Sequence, residues 1–153
     1  MNTINIYATR YNEDRLVSLV KEAVHKYDSE DAGVIDSPEK AALLLEDVFD
    51  ASNLTEEHFW LIVLDGARKV SGLFRVSHGT LMSSLVHPRE VFSRAILCGA
   101  ASIIVGHNHP SRSLSVSEQD HEVTRRIELA GELLGIKLDD HVICAGGGFV
   151  SAY

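Results

Sequence analysis

The stretch SIIVGHNHPSRSLSVSEQD, residues 102–120, decides how the chain folds. SIIVGH has the length and β-branched content of a buried strand. NHPSRSLSV is polar and interrupted by proline, which predicts a loop. Ser117 then opens a helix that runs to about Leu134 and is closed by Gly135. Upstream, HFWLIVLD (58–65) and VSGLFRVSHGT (70–80) are two further strands, and DGARK between them supplies the turn of a hairpin. Pro88 begins a helix, PREVFSRAILCGA, ended by Gly99. Downstream, IKLDDHVIC and GFVSAY are short strands separated by Gly146-Gly147-Gly148.

The first part of the chain has a different texture. MNTINIYAT (1–9) alternates Ile4, Ile6 and Ala8 and predicts a short strand. Leu16, Leu19, Val20, Ala23, Val24 and Tyr27 follow helical spacing, which predicts an amphipathic helix from about Asp14 to Tyr27. DSEDAG is a connector. A second helix opens at Ser37-Pro38, with Ala41, Leu44, Leu45, Val48 and Phe49 as its buried stripe. Strands and helices therefore intermix, with at least one hairpin, and the fold class is mixed α/β, a mixed sheet covered by helices. Residues 1–30 form a helical extension and residues 31–153 the main domain, in one compact unit. No repeat or low-complexity tract interrupts it.

The composition fits this: 153 residues, 45% hydrophobic and 24% charged, enough for one domain with its own core. The net charge of −8 argues against broad nucleic-acid binding, which needs phosphate-neutralising Lys and Arg. Its distribution is uneven. Residues 1–56 hold 5 Lys/Arg against 12 Asp/Glu, whereas residues 57–153 hold 9 against 10. The acidity marks the solvated faces of the two N-terminal helices, and the remainder of the chain is near neutral. Cys98 and Cys144 lie in apolar stretches without CxxC spacing, as buried hydrophobes do. No apolar run reaches the roughly 20 residues of a membrane span, and MNTINIYATRYNED is not a signal peptide. A cytoplasmic location, with no membrane partner, is expected.

The chemistry sits in the opening stretch. His107 and His109 end a strand, and a spacing of two in extended chain turns both rings to the same side. Two imidazoles side by side are half of a zinc site, and a catalytic Zn²⁺ takes a third protein ligand while keeping one position for water. Asp120, in the first turn of the next helix, supplies that third ligand once the loop folds back. SxxD at 117–120 is equally a helix-capping pattern, and Ser117 can serve as cap, catalytic group or both. Hydrolysis also needs a carboxylate base beside the metal, for which Glu56, Glu57 and Glu90 are candidates.

These residues resemble a known family. HxHP followed by SxxD is similar to the JAMM (MPN+) metalloprotease motif, and the blocks EHFWLIVLD, VSHGTL, VHPREVF, HNHPS, GELLGI and DDHVI are similar to its RadC-type branch, over about residues 35–153. The resemblance implies a curved mixed sheet flanked by helices, the JAMM/MPN or cytidine-deaminase-like architecture. It implies Zn²⁺ on His107, His109 and Asp120, an oxyanion-stabilising Ser117, and Glu57 as general base and acid, with Glu56 the alternative register. The activity implied is metal-assisted hydrolysis of a peptide or isopeptide amide. A metal-binding regulatory module without hydrolysis, and a DNA-repair-associated role of the kind the RadC name suggests, are the alternatives.

Two positions depart from the family pattern: Arg112 stands where glycine is usual and Val116 where proline is usual. Longer members carry an N-terminal helix-hairpin-helix module, and this chain resembles a short form without it. His87 and Arg89 are explained by the start of a helix and charge pairing. His141 is expected to satisfy backbone near the tail strand, and His25, His58, His78 and His121 to be surface or packing residues. Phe59 and Trp60 belong to a strand core.

Overall fold

A computed structural model describes residues 2–79 and 86–153. The element order is β1 (Asn2–Tyr11), β2 (Val17–Tyr27), a 3-10 turn (Glu30–Gly33), α1 (Pro38–Phe49), a second 3-10 turn (Ala51–Asn53), β3 (Glu57–Leu64), β4 (Val70–Gly79), α2 (Pro88–Leu97), β5 (Ser102–Asn108), α3 (Glu118–Leu134), β6 (Lys137–Ala145) and β7 (Gly148–Ser151). Met1 and Thr80, expected at the ends of two strands, lie outside the described residues.

The strands form one seven-stranded mixed sheet in the order β2-β1-β4-β3-β5-β6-β7. β1 pairs parallel with β4 and β5 with β6, while the other neighbours are antiparallel. β3 lies at its centre, and all six residues from Phe59 to Leu64 are buried. The reason is that the sheet is covered on both faces, so an uninterrupted apolar run is needed instead of alternation. Trp60, Ile62 and Leu64 pack with Ala41, Leu44 and Leu45 of α1 on one face. Phe59, Leu61 and Val63 pack with Val91 and Phe92 of α2 and Val123 and Ile127 of α3 on the other.

Local signals set the element ends. The hydroxyl oxygen of Ser37 accepts from the Lys40 N–H and caps α1, with Pro38 at the first helical position. Gly99 and Gly135 adopt φ of +65° and +75° where α2 and α3 stop, a conformation open to glycine at no steric cost. No helix is long and apolar enough to cross a membrane among the described residues.

The helix expected over residues 14–27 is a strand. β1 and β2 form a hairpin paired from Asn2↔Tyr27 to Tyr11↔Val17. The side-chain oxygen of Asn12 accepts from the N–H groups of Asp14 and Leu16, both at 3.0 Å, and Arg15 takes φ +63° to close the loop. The helical stripe was coincidental: Leu16, Val20 and Val24 are 63%, 45% and 44% exposed. A bulge explains why alternation did not reveal the strand. Ile6 faces Ala23 and Tyr7 faces Lys21, so Glu22 is an extra residue that shifts the side-chain phase midway. The helical extension expected over residues 1–30 is thus, where described, a β-hairpin from Asn2 to Tyr27. Its first strand joins the main sheet at Ile6↔Leu73 and Tyr7↔Phe74 and contributes Ile4 and Ile6 to the core on the α1 face. The N-terminal acidity consequently lies on this hairpin, the connector and the single helix α1.

Candidate metal centre

β5 and α3 bring the motif residues together. His107 faces the α3 side of the sheet in alternation with Ile103 and Val105. The His109 N–H donates to the Cys144 carbonyl at 2.9 Å, which prolongs the β5–β6 ladder and turns His109 to the same side as His107. At the start of α3, Ser117 and Asp120 form a reciprocal capping box. Asp120 N–H donates to Ser117 Oγ at 3.0 Å and Ser117 N–H donates to Asp120 Oδ2 at 2.9 Å. That box fixes the carboxylate where the two imidazoles point.

His107 Nε2 lies 3.0 Å from His109 Nε2 and 3.1 Å from Asp120 Oδ1, and His109 Nε2 lies 3.3 Å from Asp120 Oδ2. Ligands about 2.0–2.1 Å from a tetrahedral ion stand roughly 3.3 Å apart, so the spacing suits one ion. The hydrogen bonding of the donor set agrees. His109 Nδ1 lies 2.8 Å from the Ser113 carbonyl, which can only accept, so Nδ1 carries a proton and Nε2 is the nitrogen turned inward for an ion. A carboxylate and an imidazole lone pair directed at one point repel each other unless a proton or a metal cation lies between them. His107, His109 and Asp120 therefore fit a metal ion, and could hold one.

The metal-free electrostatics show the same demand for positive charge. Burial would raise the Asp120 carboxyl, but hydrogen bonds with His107, His109 and the Ser117 N–H outweigh it and hold the group well below the usual carboxylate range. His109 is raised, first by its hydrogen bond to Asp120, against the opposing effect of burial, and further by the Ser113 carbonyl and the charge of Glu57. His141 is completely buried, and that burial holds it neutral, with the neighbouring His107 pushing the same way.

The three ligands open into a cavity of about 530 Å³ that Glu56, Glu57 and Ser117 also line. Glu57 begins β3 two residues before Phe59, so it belongs to the strand face that carries His107's side of the sheet. Glu56 is also on the rim, 3.5 Å from His78 Nδ1. Glu90, in the first turn of α2, is not among the residues that line the cavity. Ser117 Oγ accepts within the capping box, which leaves its hydroxyl proton for a ligand in the cavity. Arg112 takes φ +68°, the backbone conformation that favours glycine, and its side chain lies over Gly146 in the β6–β7 turn. Val116, half-buried, precedes the cap.

Three residues that the sequence did not single out, or assigned otherwise, complete the site. Asn108, between the two histidines, points to the opposite face and is buried. Its Oδ1 accepts from the His58 N–H at 2.6 Å and its Nδ2 donates to the Glu56 carbonyl at 3.0 Å, so one carboxamide brackets Glu57. Strand alternation offered the clue, because an Asn turned into an apolar face needs partners. His141 does not serve backbone through its ring. Its Nε2 lies 2.8 Å from His107 Nδ1, and its Nδ1 lies 2.6 Å from Oγ1 of Thr124 on α3. The parallel β5–β6 register, Val105↔His141, brings it there, and nothing local in DDHVIC encodes that pairing. Phe59 and Trp60 are core residues, as expected, and the His58 ring stacks on Trp60.

The sequence profile of the RadC-like JAB domain matches residues 35–153. Among curated relatives, the chain is 44% identical over 128 residues to the UPF0758 protein YsxA of Bacillus subtilis, covering 84% of this chain and 54% of that protein. It is 47% identical over 118 residues to a UPF0758 protein of Desulforudis audaxviator, covering 75% and 49%. A UPF0758 protein of Trichlorobacter lovleyi is 47% identical over 96 residues, covering 63% and 42%. The chain thus spans about half the length of the curated relatives it matches.

Proposed function

The chain belongs to the RadC-like JAB domain family, and from that premise we propose that it is a zinc-dependent amide hydrolase acting on a peptide or isopeptide bond. The observation that carries this reading is the meeting of two imidazole nitrogens and a carboxylate at 3.0–3.3 Å in a cavity that Glu57 also lines. Bound there, Zn²⁺ supplies Lewis acidity, which makes water acidic near neutral pH and a carbonyl more electrophilic. Glu57 takes the proton of the attacking water and returns it to the departing amine nitrogen. Ser117 donates its hydroxyl hydrogen bond to the oxygen that becomes negative, a contribution of about 3 kcal/mol where such donors have been removed. Asn108 keeps the Glu57 backbone against β5, so base and metal ligands share one rigid frame.

The test is turnover of peptide and isopeptide libraries by the zinc-loaded full chain and by Glu57→Gln. Loss of turnover in the variant with metal content unchanged is the expected result. Turnover that survives Glu57→Gln removes Glu57 as the base. A fully zinc-occupied protein inactive on every library overturns the hydrolase reading in favour of a metal-binding module.

A further inference from the structure

The state of His107 is decided away from the cavity, at Thr124. Thr124 Oγ1 lies 2.8 Å from the Asp120 carbonyl and 2.6 Å from His141 Nδ1. A hydroxyl has one proton to give, and a carbonyl can only accept. Both contacts are used when Thr124 donates to Asp120 and accepts from an Nδ1–H of His141. His141 is 0% exposed, and the ring of Phe59 packs against both it and His107, at 5.9 and 6.2 Å between centroids. A neutral imidazole protonated on Nδ1 keeps a lone pair on Nε2. That lone pair faces His107 Nδ1 at 2.8 Å and must receive a hydrogen from it. His107 then carries a proton on Nδ1, which leaves Nε2, the atom facing His109 and Asp120, as its ligating nitrogen.

We propose that Thr124 and His141 form a hydrogen-bond relay that fixes the His107 tautomer needed for metal ligation. They are positioning residues, since neither touches the ion's place. The proposal rests on the metal-centre reading, but the tautomer can be read without metal. In the reverse relay Thr124 donates to His141, His141 Nε2–H donates to His107 Nδ1, and His107 carries its proton on Nε2, where it blocks ligation. Thr124 selects between the two because its carbonyl partner accepts and never donates. Histidines that bind metals depend on such outer partners, whose loss typically costs 10–100-fold in affinity.

The experiment uses the full chain with ¹⁵N-labelled histidine, near pH 8, where unperturbed imidazoles are neutral. In the metal-free wild type the ¹⁵N shifts should show His107 protonated on Nδ1. Thr124→Val removes the hydroxyl at nearly constant volume. It should move His107 toward the Nε2–H form and weaken Zn²⁺ binding about 10–100-fold in competition with a chromophoric chelator. Thr124→Ser should restore both. A wild-type His107 without a proton on Nδ1 overturns the relay even if the variant cannot be made. So does a Thr124→Val protein with wild-type tautomer and affinity. A wild type with the Nδ1–H tautomer that binds no Zn²⁺ leaves the relay standing and removes the metal-centre reading.

Discussion

Replacing Asn108 by alanine separates the frame that carries Glu57 from the three candidate metal ligands. The wild-type side chain is 1% exposed and makes two hydrogen bonds, at 2.6 Å from the His58 N–H and 3.0 Å to the Glu56 carbonyl. Truncation leaves the His58 N–H without its acceptor in a part-buried position, at a cost of about 1–3 kcal/mol. The Glu56 carbonyl suffers less, because His58 Nδ1 lies 3.0 Å from it and Glu56 is exposed to water. The total is therefore about 2–3 kcal/mol, or roughly 4–12 °C in Tm for a chain of this length. Urea unfolding of metal-free protein measures it as a lower midpoint at unchanged slope. Zn²⁺ content should stay at the wild-type level while turnover falls, since the bracket holds the proposed base and not the proposed ligands. Asn108→Asp should destabilise at least as much, because it turns a donor facing the Glu56 carbonyl into an acceptor. A change below about 0.5 kcal/mol in Asn108→Ala, within the range of ordinary surface substitutions, would refute the bracket.

The acid side offers a second prediction. The raised His109 stabilises the metal-free fold at low pH and loses that contribution as pH rises through its folded-state value. The depressed Asp120 contributes above the ordinary carboxylate range and loses its contribution as pH falls through its own folded-state value. Metal must displace the His109 proton, so Zn²⁺ affinity should rise about tenfold per pH unit below the His109 value and then level. Chelator competition between about pH 5 and 8 measures this, and a flat profile would contradict it. A third concerns packing. A Cβ on Gly131 would stand 2.3 Å from the Ile136 carbonyl oxygen, whereas one on Gly106 would meet the movable Leu45 Cδ1 at 2.4 Å. Gly131→Ala should cost about 3 kcal/mol and Gly106→Ala about 1 kcal/mol, in that order by urea unfolding; the reverse order would contradict the packing.

What the sequence disclosed follows from the range of the forces involved. The ends of α1 and α3 were legible because Ser37, Ser117 and Gly135 act on neighbours within a few residues. β3 and β5 were legible because burial on both faces demands continuous apolar runs. The meeting of the three candidate ligands was legible for the same reason: His107 and His109 lie two apart on one strand, and Asp120 lies at a helix start that carries its own cap. β2 was misread because the bulge at Glu22 scrambles its alternation and its pairing with β1, across the Asn12 turn, outweighs weak helical spacing. His141 and Thr124 were illegible as a pair because a parallel crossover, 17 residues of chain folded back through α3, brings them together. Arg112 shows a middle case. Its departure from the glycine usual in the motif was visible, whereas the backbone conformation was not: the chain takes φ +68° there with an arginine.

Metal analysis of the purified full chain, prepared without chelator and loaded with Zn²⁺, tests the central claim most directly. The expected result is close to one zinc per chain in the wild type, with loss of the ion in His107→Ala and in His109→Ala while both variants keep their secondary structure. A folded wild-type protein that retains no zinc, or variants that retain as much as the wild type, would contradict the assignment of His107, His109 and Asp120 as a metal centre.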